Sequence, residues 1–414
     1  MIPKSNLRNY VPVYLLAVMA VFLTVSMVLF PEEAFSAAVK GLDVWWNIVF
    51  PALLPFFIGS ELLMGLGVVH FMGVLLEPLM RPIFNVPGVG SFVMAMGLAS
   101  GFPIGSLLTA RLRRDGLCTK VEGERLMSFT NTADPLFMFG AVAVGMFGYP
   151  QIGVTIAIAH YLSSITTGIL LRFYGRSQEN TPENPSAGFI ATRALRELYH
   201  ARNKDGRPMG QLMGDAIRNS VNTLLLIGGF IILFSVIIRI LTAIGVVSVL
   251  SSGILFILSP IGLDPSLTPA IISGFFEVTL GCQLAAQAPA SVDILQKVMV
   301  ASAVIAWSGL SVHAQVASII SGTGMKIGPF VSARFVHGIL ASVYTYILMG
   351  PLAPVINRYD IPVFLHLQPG PDKSYFWVRT LQFGSRFIAI CAGLMVLGLL
   401  IGICRRVKIA VFRG

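Results

Sequence analysis

Charge is what this sequence has least of. Only 12% of its 414 residues are Asp, Glu, Lys or Arg, about half the share of a soluble domain, and that excludes a large water-facing surface. Cysteine is scarce as well. Cys118, Cys282, Cys391 and Cys404 form no C-x-x-C pair and have no histidine at a metal-ligand spacing, so all four read as small apolar residues and no metal site is expected. The pattern G-x-x-x-x-G-K-[ST] is missing, as are the zincin and nucleophile-elbow motifs. These absences argue against an ATP-driven pump and against an enzyme. A Ser311–His313 dyad fails because residues i and i+2 of a helix do not face each other. Neither a catalytic residue nor a cofactor is expected.

What the chain has in abundance is apolar sequence: 55% of residues are hydrophobic and mean hydropathy is +0.80. About 20 apolar residues cross a bilayer, and hydropathy marks twelve such stretches, at 11–30, 44–64, 68–84, 89–110, 126–148, 150–173, 219–242, 246–261, 267–288, 298–320, 330–351 and 381–404. Those at 68–84 and 246–261 are short enough to be re-entrant. The first follows Lys4 and Arg8 like a signal peptide, but it outruns a signal h-region and reads as a retained span. The fold expected is an all-α polytopic membrane protein of about twelve transmembrane or re-entrant helices.

The net charge of +10 does not call for nucleic acid, because the cations cluster where the positive-inside rule puts them. Arg111, Arg113, Arg114, Lys120 and Arg125 share one loop, eight cations lie from Arg172 to Arg218, and Arg405, Arg406, Lys408 and Arg413 sit in the tail. Both termini are therefore expected in the cytoplasm. The basic linker 174–218 reads as a connector lying on anionic lipid, with a Ser/Pro/Asn segment at Ser177 to Ser186 and a polar helical pattern from Ala191 to Asn203.

This linker separates two groups of five stretches that share traces of sequence. Leu66-Gly67-Val68-Val69 matches Ile244-Gly245-Val246-Val247, each after the first stretch of its group, and Ser100-Gly101-Phe102 matches Ser273-Gly274-Phe275, each inside the third. Five is odd, so the second group enters from the opposite side. The loop after its third stretch, Pro289 to Lys297, accordingly lacks the cations of its counterpart. The organisation expected is a first span with its outer loop (1–43), two inverted five-helix repeats with discontinuous helices (44–173 and 219–351) around the linker, and an outer loop, last span and basic tail (352–414).

The candidate binding residues lie where these helices should break. Three Gly and a Pro interrupt Gly97 to Gly105, and Ser128 to Pro135 is polar and then Pro-broken. Freed backbone groups are tolerated at membrane depth only when buried in protein or lining a cavity, and an intramembrane acid such as Asp134 or Glu277 must be protonated, paired or wet. The candidates are Ser100, Gly101, Phe102, Gly105, Thr130, Asn131 and Asp134 in the first group, and Ser273, Gly274, Phe275, Glu277, Trp307, Ser308 and His313 in the second. The alternatives are close helix packing at the glycines, helix capping at Asn131 and Asp134, and a buried Glu277–His313 contact. Thr119 and Glu122 have the spacing of a capping box.

The run Gly101-Phe102-Pro103-Ile104-Gly105, the loop Arg111-x-Arg113-Arg114-x-Gly116, and Glu124-Arg125-Leu126-x-Ser128-Phe129-x-Asn131 leading to Pro135 and Gly140 resemble the YlbJ type of sporulation integral membrane protein, which carries the Gate, or nucleoside-recognition, domain. The resemblance implies dipicolinate as the substrate, a small anion carried with protons or Ca2+, and a place in the outer forespore membrane. It leaves room for a homo-oligomer, for a nucleoside-type transporter, and for a non-transporting membrane scaffold in spore assembly. Such a dianion would need half-helix amides and an aromatic wall. The family pattern before the proline is often a small residue where this chain has Asp134, so the resemblance supports Asn131 more than Asp134.

Overall fold

The computed structural model describes residues 4–175, 180–182 and 189–352 and scattered positions between 381 and 396, and every regular element among them is helical. The expected outer loop and last span fall largely outside the described residues. Helices α1 (Lys4–Leu29) and α2 (Pro31–Val44) come first, and α2 passes through a π-helical turn at Trp45–Val49 into α3 (Phe50–Gly65). Next come α4 (Val68–Leu79), α5 (Gly90–Ser100), α6 (Ile104–Arg114), α7 (Lys120–Thr130), a π-helical run at Phe137–Met146, and α8 (Ile152–Leu171). The polar helix expected in the linker is present as α9 (Ile190–Asp205).

The same order of elements then recurs. α10 (Met209–Ala243), α11 (Val246–Leu258), α12 (Thr268–Phe276), α13 (Val278–Ala286), α14 (Ile294–Trp307), α15 (Gly309–Ile319) and α16 (Ile327–Met349) complete the described chain. The sequence match at Gly67 and Gly245 has a structural counterpart: both are left-handed, with φ 82° and 81°, and each starts the short helix that follows. Among the described residues, five helical stretches are long and apolar enough to cross a membrane, namely Pro31–Gly65, Ile152–Leu171, Met209–Ala243, Ile294–Ile319 and Ile327–Met349.

The stretches at 89–110 and 267–288 are not single spans. A methyl group added to either Gly97 or Gly105 would collide with the same atom, the carbonyl oxygen of Thr130, whereas eight residues of continuous helix would separate these glycines by about 12 Å. α5 and α6 therefore fold back on each other around Gly101. Likewise a Cβ on Gly281 would strike the Cα of Gly274, so α12 and α13 fold back around Glu277. Each arm is too short to cross a ~30 Å core, and the glycines allow backbone-to-backbone approach where lipid gives no hydrophobic drive between helices.

The two hairpins open toward opposite ends of the bundle. At the end reached by α5 and α6, Arg114 donates to the Ile319 carbonyl at 2.9 Å, the Lys326 amide to Glu124 Oε1 at 2.8 Å, and Arg125 Nε to the Tyr174 carbonyl at 2.9 Å. The Thr119–Glu122 capping box forms here too. At the other end Lys297 donates to the Ala288 carbonyl at 2.6 Å and the Asp264 amide to Gln296 at 2.8 Å. α10 is fixed to the first half by Trp45, whose Nε1 donates to the Leu224 carbonyl at 2.8 Å.

Candidate functional site

Between these ends both halves are interrupted. α7 stops at Thr130 and residues 131–134 are not helical, as expected where Pro135 lacks an amide hydrogen and biases Asp134 out of the helical region. The Asp134 carboxylate accepts from the amides of Leu136 and Phe137 at 2.9 and 2.8 Å. Glu277 is extended (φ −145°, ψ 126°) between α12 and α13, and its carboxylate accepts from the Leu280 amide at 2.8 Å. Each acid thus caps the helical segment that starts beside it, where unpaired amides and the helix dipole favour negative charge.

Each hairpin tip touches the broken helix of its own half. Gly101, at φ 71°, lies so close to Asp134 that an added Cβ would sit 2.9 Å from its Oδ2 and 3.0 Å from its amide nitrogen. In the second half the break between α14 and α15 is made by Ser308 and Gly309, both left-handed at φ 69° and 76°. A Cβ on Gly309 would lie 2.9 Å from the Phe276 carbonyl and 3.1 Å from the Cα of Glu277. Glycine meets acid in both contacts, with the roles exchanged. In the first half the glycine is on the tip and the acid on the break, and in the second the reverse.

Both tips, the first break and α15, the helix that follows the second break, line one cavity of ≈ 150 Å³. An apolar cavity of about that size takes benzene, so there is room for a single planar ring. Ser100, Phe102 and Pro103 enter it from the first hairpin, Asp134 and Phe137 from the first break, Glu277 and Thr279 from the second hairpin, and Ser311 and Gln315 from α15. α10 contributes Ser220, Thr223 and Phe230, and α3 contributes Phe57 and Glu61. Three carboxylates line this space, and among the described residues no Lys, Arg or His does.

Of the residues expected from sequence, Ser100, Phe102, Asp134 and Glu277 line the cavity. The others stand behind it. Gly101 makes the tip contact, and Gly105 packs on the Thr130 carbonyl. Asn131 is fully buried with its side-chain amide unpartnered. Ser273 accepts the Glu277 amide on its carbonyl at 2.7 Å, and Gly274 gives α13 its close approach. Phe275 stacks on Trp307 with centroids 5.5 Å apart and accepts the indole N–H on its carbonyl at 3.0 Å. Ser308 donates to the Trp307 carbonyl at 2.6 Å.

His313 does not pair with Glu277: its Nδ1 lies 2.7 Å from the Gly309 carbonyl and its ring is 4.3 Å from that of Trp307. The aromatic side chains that line the cavity are Phe57, Phe102, Phe137 and Phe230, whereas Phe275 and Trp307 stack on each other and are not part of its lining. The α10 contribution was readable as a stripe, because Ser220, Thr223 and Phe230 recur at helical spacing on one face. Ser311 and Gln315 likewise stand four apart, as neighbours on one face of α15.

A family model described as Gate, nucleoside recognition, matches residues 47–175 and 224–326. The sporulation integral membrane protein YlbJ of Bacillus subtilis (strain 168) is 47% identical over 383 residues, covering 91% of this chain and 93% of that protein. Among solved structures, CNTnw in an inward-facing substrate-bound state aligns at 14% identity and a TM-score of 0.48, covering 81% of this chain and 86% of the other. The same protein in an intermediate state aligns at 13% and 0.48 over 84% and 87%. The Gate domain and the near-complete relative agree: this chain is an integral membrane protein that belongs to the YlbJ-type family of sporulation membrane proteins.

Proposed function

We propose that the chain is a secondary-type carrier that binds one small planar solute in the cavity between hairpin tips and helix breaks. By family membership that solute is dipicolinate, moved across the outer forespore membrane with both termini of the chain in the cytoplasm. The observation that carries this reading is that both hairpin tips, the first-half break and the helix that follows the second-half break line one cavity, the arrangement expected of two inverted repeats at 44–173 and 219–351. The recurring element order, the paired left-handed glycines and the opposite openings of the hairpins support that division.

The lining dictates how an anion could travel. Like charges 5 Å apart repel by about 3 kcal/mol at an effective dielectric constant of 20, so a bare dianion is disfavoured beside Asp134 and Glu277. The half-helix amides at Leu136, Phe137 and Leu280 are no help, since the protein's own acids occupy them. Dipicolinate would therefore enter together with protons or a metal ion held by these acids. A nucleoside is the second reading, favoured by the same lining, because hydroxyls and carboxylates suit an uncharged, hydroxyl-rich solute.

Purified protein in liposomes decides between them. Uptake of labelled dipicolinate that rises with an inward proton or Ca2+ gradient, and that excess uridine does not compete away, supports the first reading. Uptake of uridine with no dipicolinate uptake supports the second, and uptake of neither sinks the carrier proposal in favour of a scaffold. Asp134→Asn and Glu277→Gln should change the proton or Ca2+ dependence while leaving membrane insertion intact.

A further inference from the structure

Directly behind the breaks lies a buried cation that the cavity does not use. Arg334 of α16 is 0% exposed and, among the described residues, pairs with no carboxylate. Its Nη2 donates to the Ser128 carbonyl at 2.7 Å, and its Nη1 donates to the carbonyls of Asn131 at 2.8 Å and Ala306 at 3.3 Å. The guanidinium carbon lies 5.6 Å from the centre of the Phe330 ring, and Nε has no partner.

These acceptors are not scattered. Ser128 and Asn131 are in the last turn and cap of α7, and Ala306 is in the last turn of α14. The last four carbonyls of any helix lack an intrahelical donor, and the negative end of the helix dipole lies there. In hydrocarbon such carbonyls need another donor. A buried charge is retained only when its surroundings compensate it, and the two helix ends supply that compensation. The planar fork of an arginine can reach both ends at once, while a lysine presents one compact ammonium.

We propose that Arg334 is a positioning residue: one guanidinium caps the C-terminal ends of both broken helices and so locks the first-half break to the second-half break in a single register. Its neighbours act in the same direction. His160 Nε2 accepts the Ala133 amide at 3.0 Å, and His337 Nε2 lies 2.9 Å from the His160 carbonyl, so α8 and α16 together hold residues 131–133. The cavity forms only while the two breaks keep this register. The inference rests on the carrier reading for its importance but not for its test.

The test is amide hydrogen exchange on the full chain in lipid nanodiscs, comparing the parent with Arg334→Met and Arg334→Lys. The expected result is exchange at least ten-fold faster for both 128–134 and 306–310 in Arg334→Met, with 152–171 unchanged. Arg334→Lys should restore protection at one of the two segments at most. Faster exchange at one break only in Arg334→Met, no change at either, or an equal loss along the whole chain, including misfolding of both variants, overturns the proposal. Because exchange is read without any substrate, failure of the carrier reading would show in uptake alone and leave this result standing.

Discussion

Gly101 gives the sharpest stability test of the site. Its backbone, at φ 71° and ψ −173°, lies in a region open essentially to glycine alone, where a side chain costs about 1–3 kcal/mol. Substitution by alanine adds a contact problem. The new methyl carbon would lie 2.9 Å from Asp134 Oδ2, 3.0 Å from its amide nitrogen and 3.1 Å from its Cβ, and two of these atoms cannot move without shifting the break. Overpacking of this kind costs about 1–3 kcal/mol more, so Gly101→Ala should destabilise by roughly 2–6 kcal/mol. Two controls bracket the effect. Gly116 has φ 70° but nothing within 4 Å of an added Cβ, and Gly229 is helical with open space around it. The expected order of midpoint loss in heating of detergent-solubilised protein, followed by fluorescence-detected size exclusion, is Gly101→Ala, then Gly116→Ala, then Gly229→Ala near zero. If Gly101→Ala melts with Gly116→Ala, the tip does not press on the break and the contact argument is wrong.

Four further outcomes are expected. Asp134→Asn should keep the cap, since Asn and Asp cap equally well, whereas Asp134→Ala should lose about 0.5–2 kcal/mol of stability, measurable in the same melts. Gln315→Ala and Ser311→Ala should weaken uptake several-fold, as loss of a hydrogen bond of about 0.5–1.5 kcal/mol implies, while Trp307→Phe leaves apparent affinity unchanged; the reverse pattern in liposome uptake would move the site. A cysteine at Ser291 should react with an impermeant maleimide only from outside intact cells and one at Asp115 only after lysis, with labelling of both from one side refuting the opposed hairpins. Burial alone would raise the pKa of Glu122, but hydrogen bonds from Thr181, Thr119 and Arg81 outweigh it and hold it below 4.5. The stabilisation this carboxylate gives is present above its unfolded value and is lost as pH falls through the depressed folded one, so acidification below about pH 4.5 should free the Thr181 segment to protease, an effect Glu122→Gln removes.

How much of this was legible in the sequence depends on the kind of interaction. The membrane class, the polar helix of the linker, the Thr119–Glu122 box and the interruptions at Gly101, Asp134, Glu277 and Ser308 all follow from local rules of hydropathy, capping and proline chemistry. The hairpins were not legible as such. An apolar run of 22 residues at 89–110 has the length of a span, and only the nearness of Gly97 and Gly105 to one carbonyl of Thr130 reveals that it turns back. Long-range partners were hidden for the same reason. Arg334 reads as a lone cation in an apolar helix, because its acceptors are backbone carbonyls more than 200 residues away at Ser128 and Asn131, and carbonyls leave no mark in a sequence.

The exchange of roles between glycine and acid in the two halves follows from the capping geometry. A helix that starts inside the membrane needs an acceptor for its first amides, and in each half only one of the two interrupted elements carries it: the break in the first half, through Asp134, and the hairpin tip in the second, through Glu277. The partner that touches the acid-bearing segment comes within about 3 Å of it where an added Cβ would sit, and the left-handed glycines Gly101 and Gly309 permit that approach. Both contacts leave a carboxylate on the cavity wall, and among the described residues no basic side chain lines that wall. Any solute that binds there must supply positive charge, hydrogen-bond donors or accompanying protons, and Thr223, Ser311 and Gln315, which line the same space, are among the neutral hydrogen-bonding residues through which a change of cargo would act.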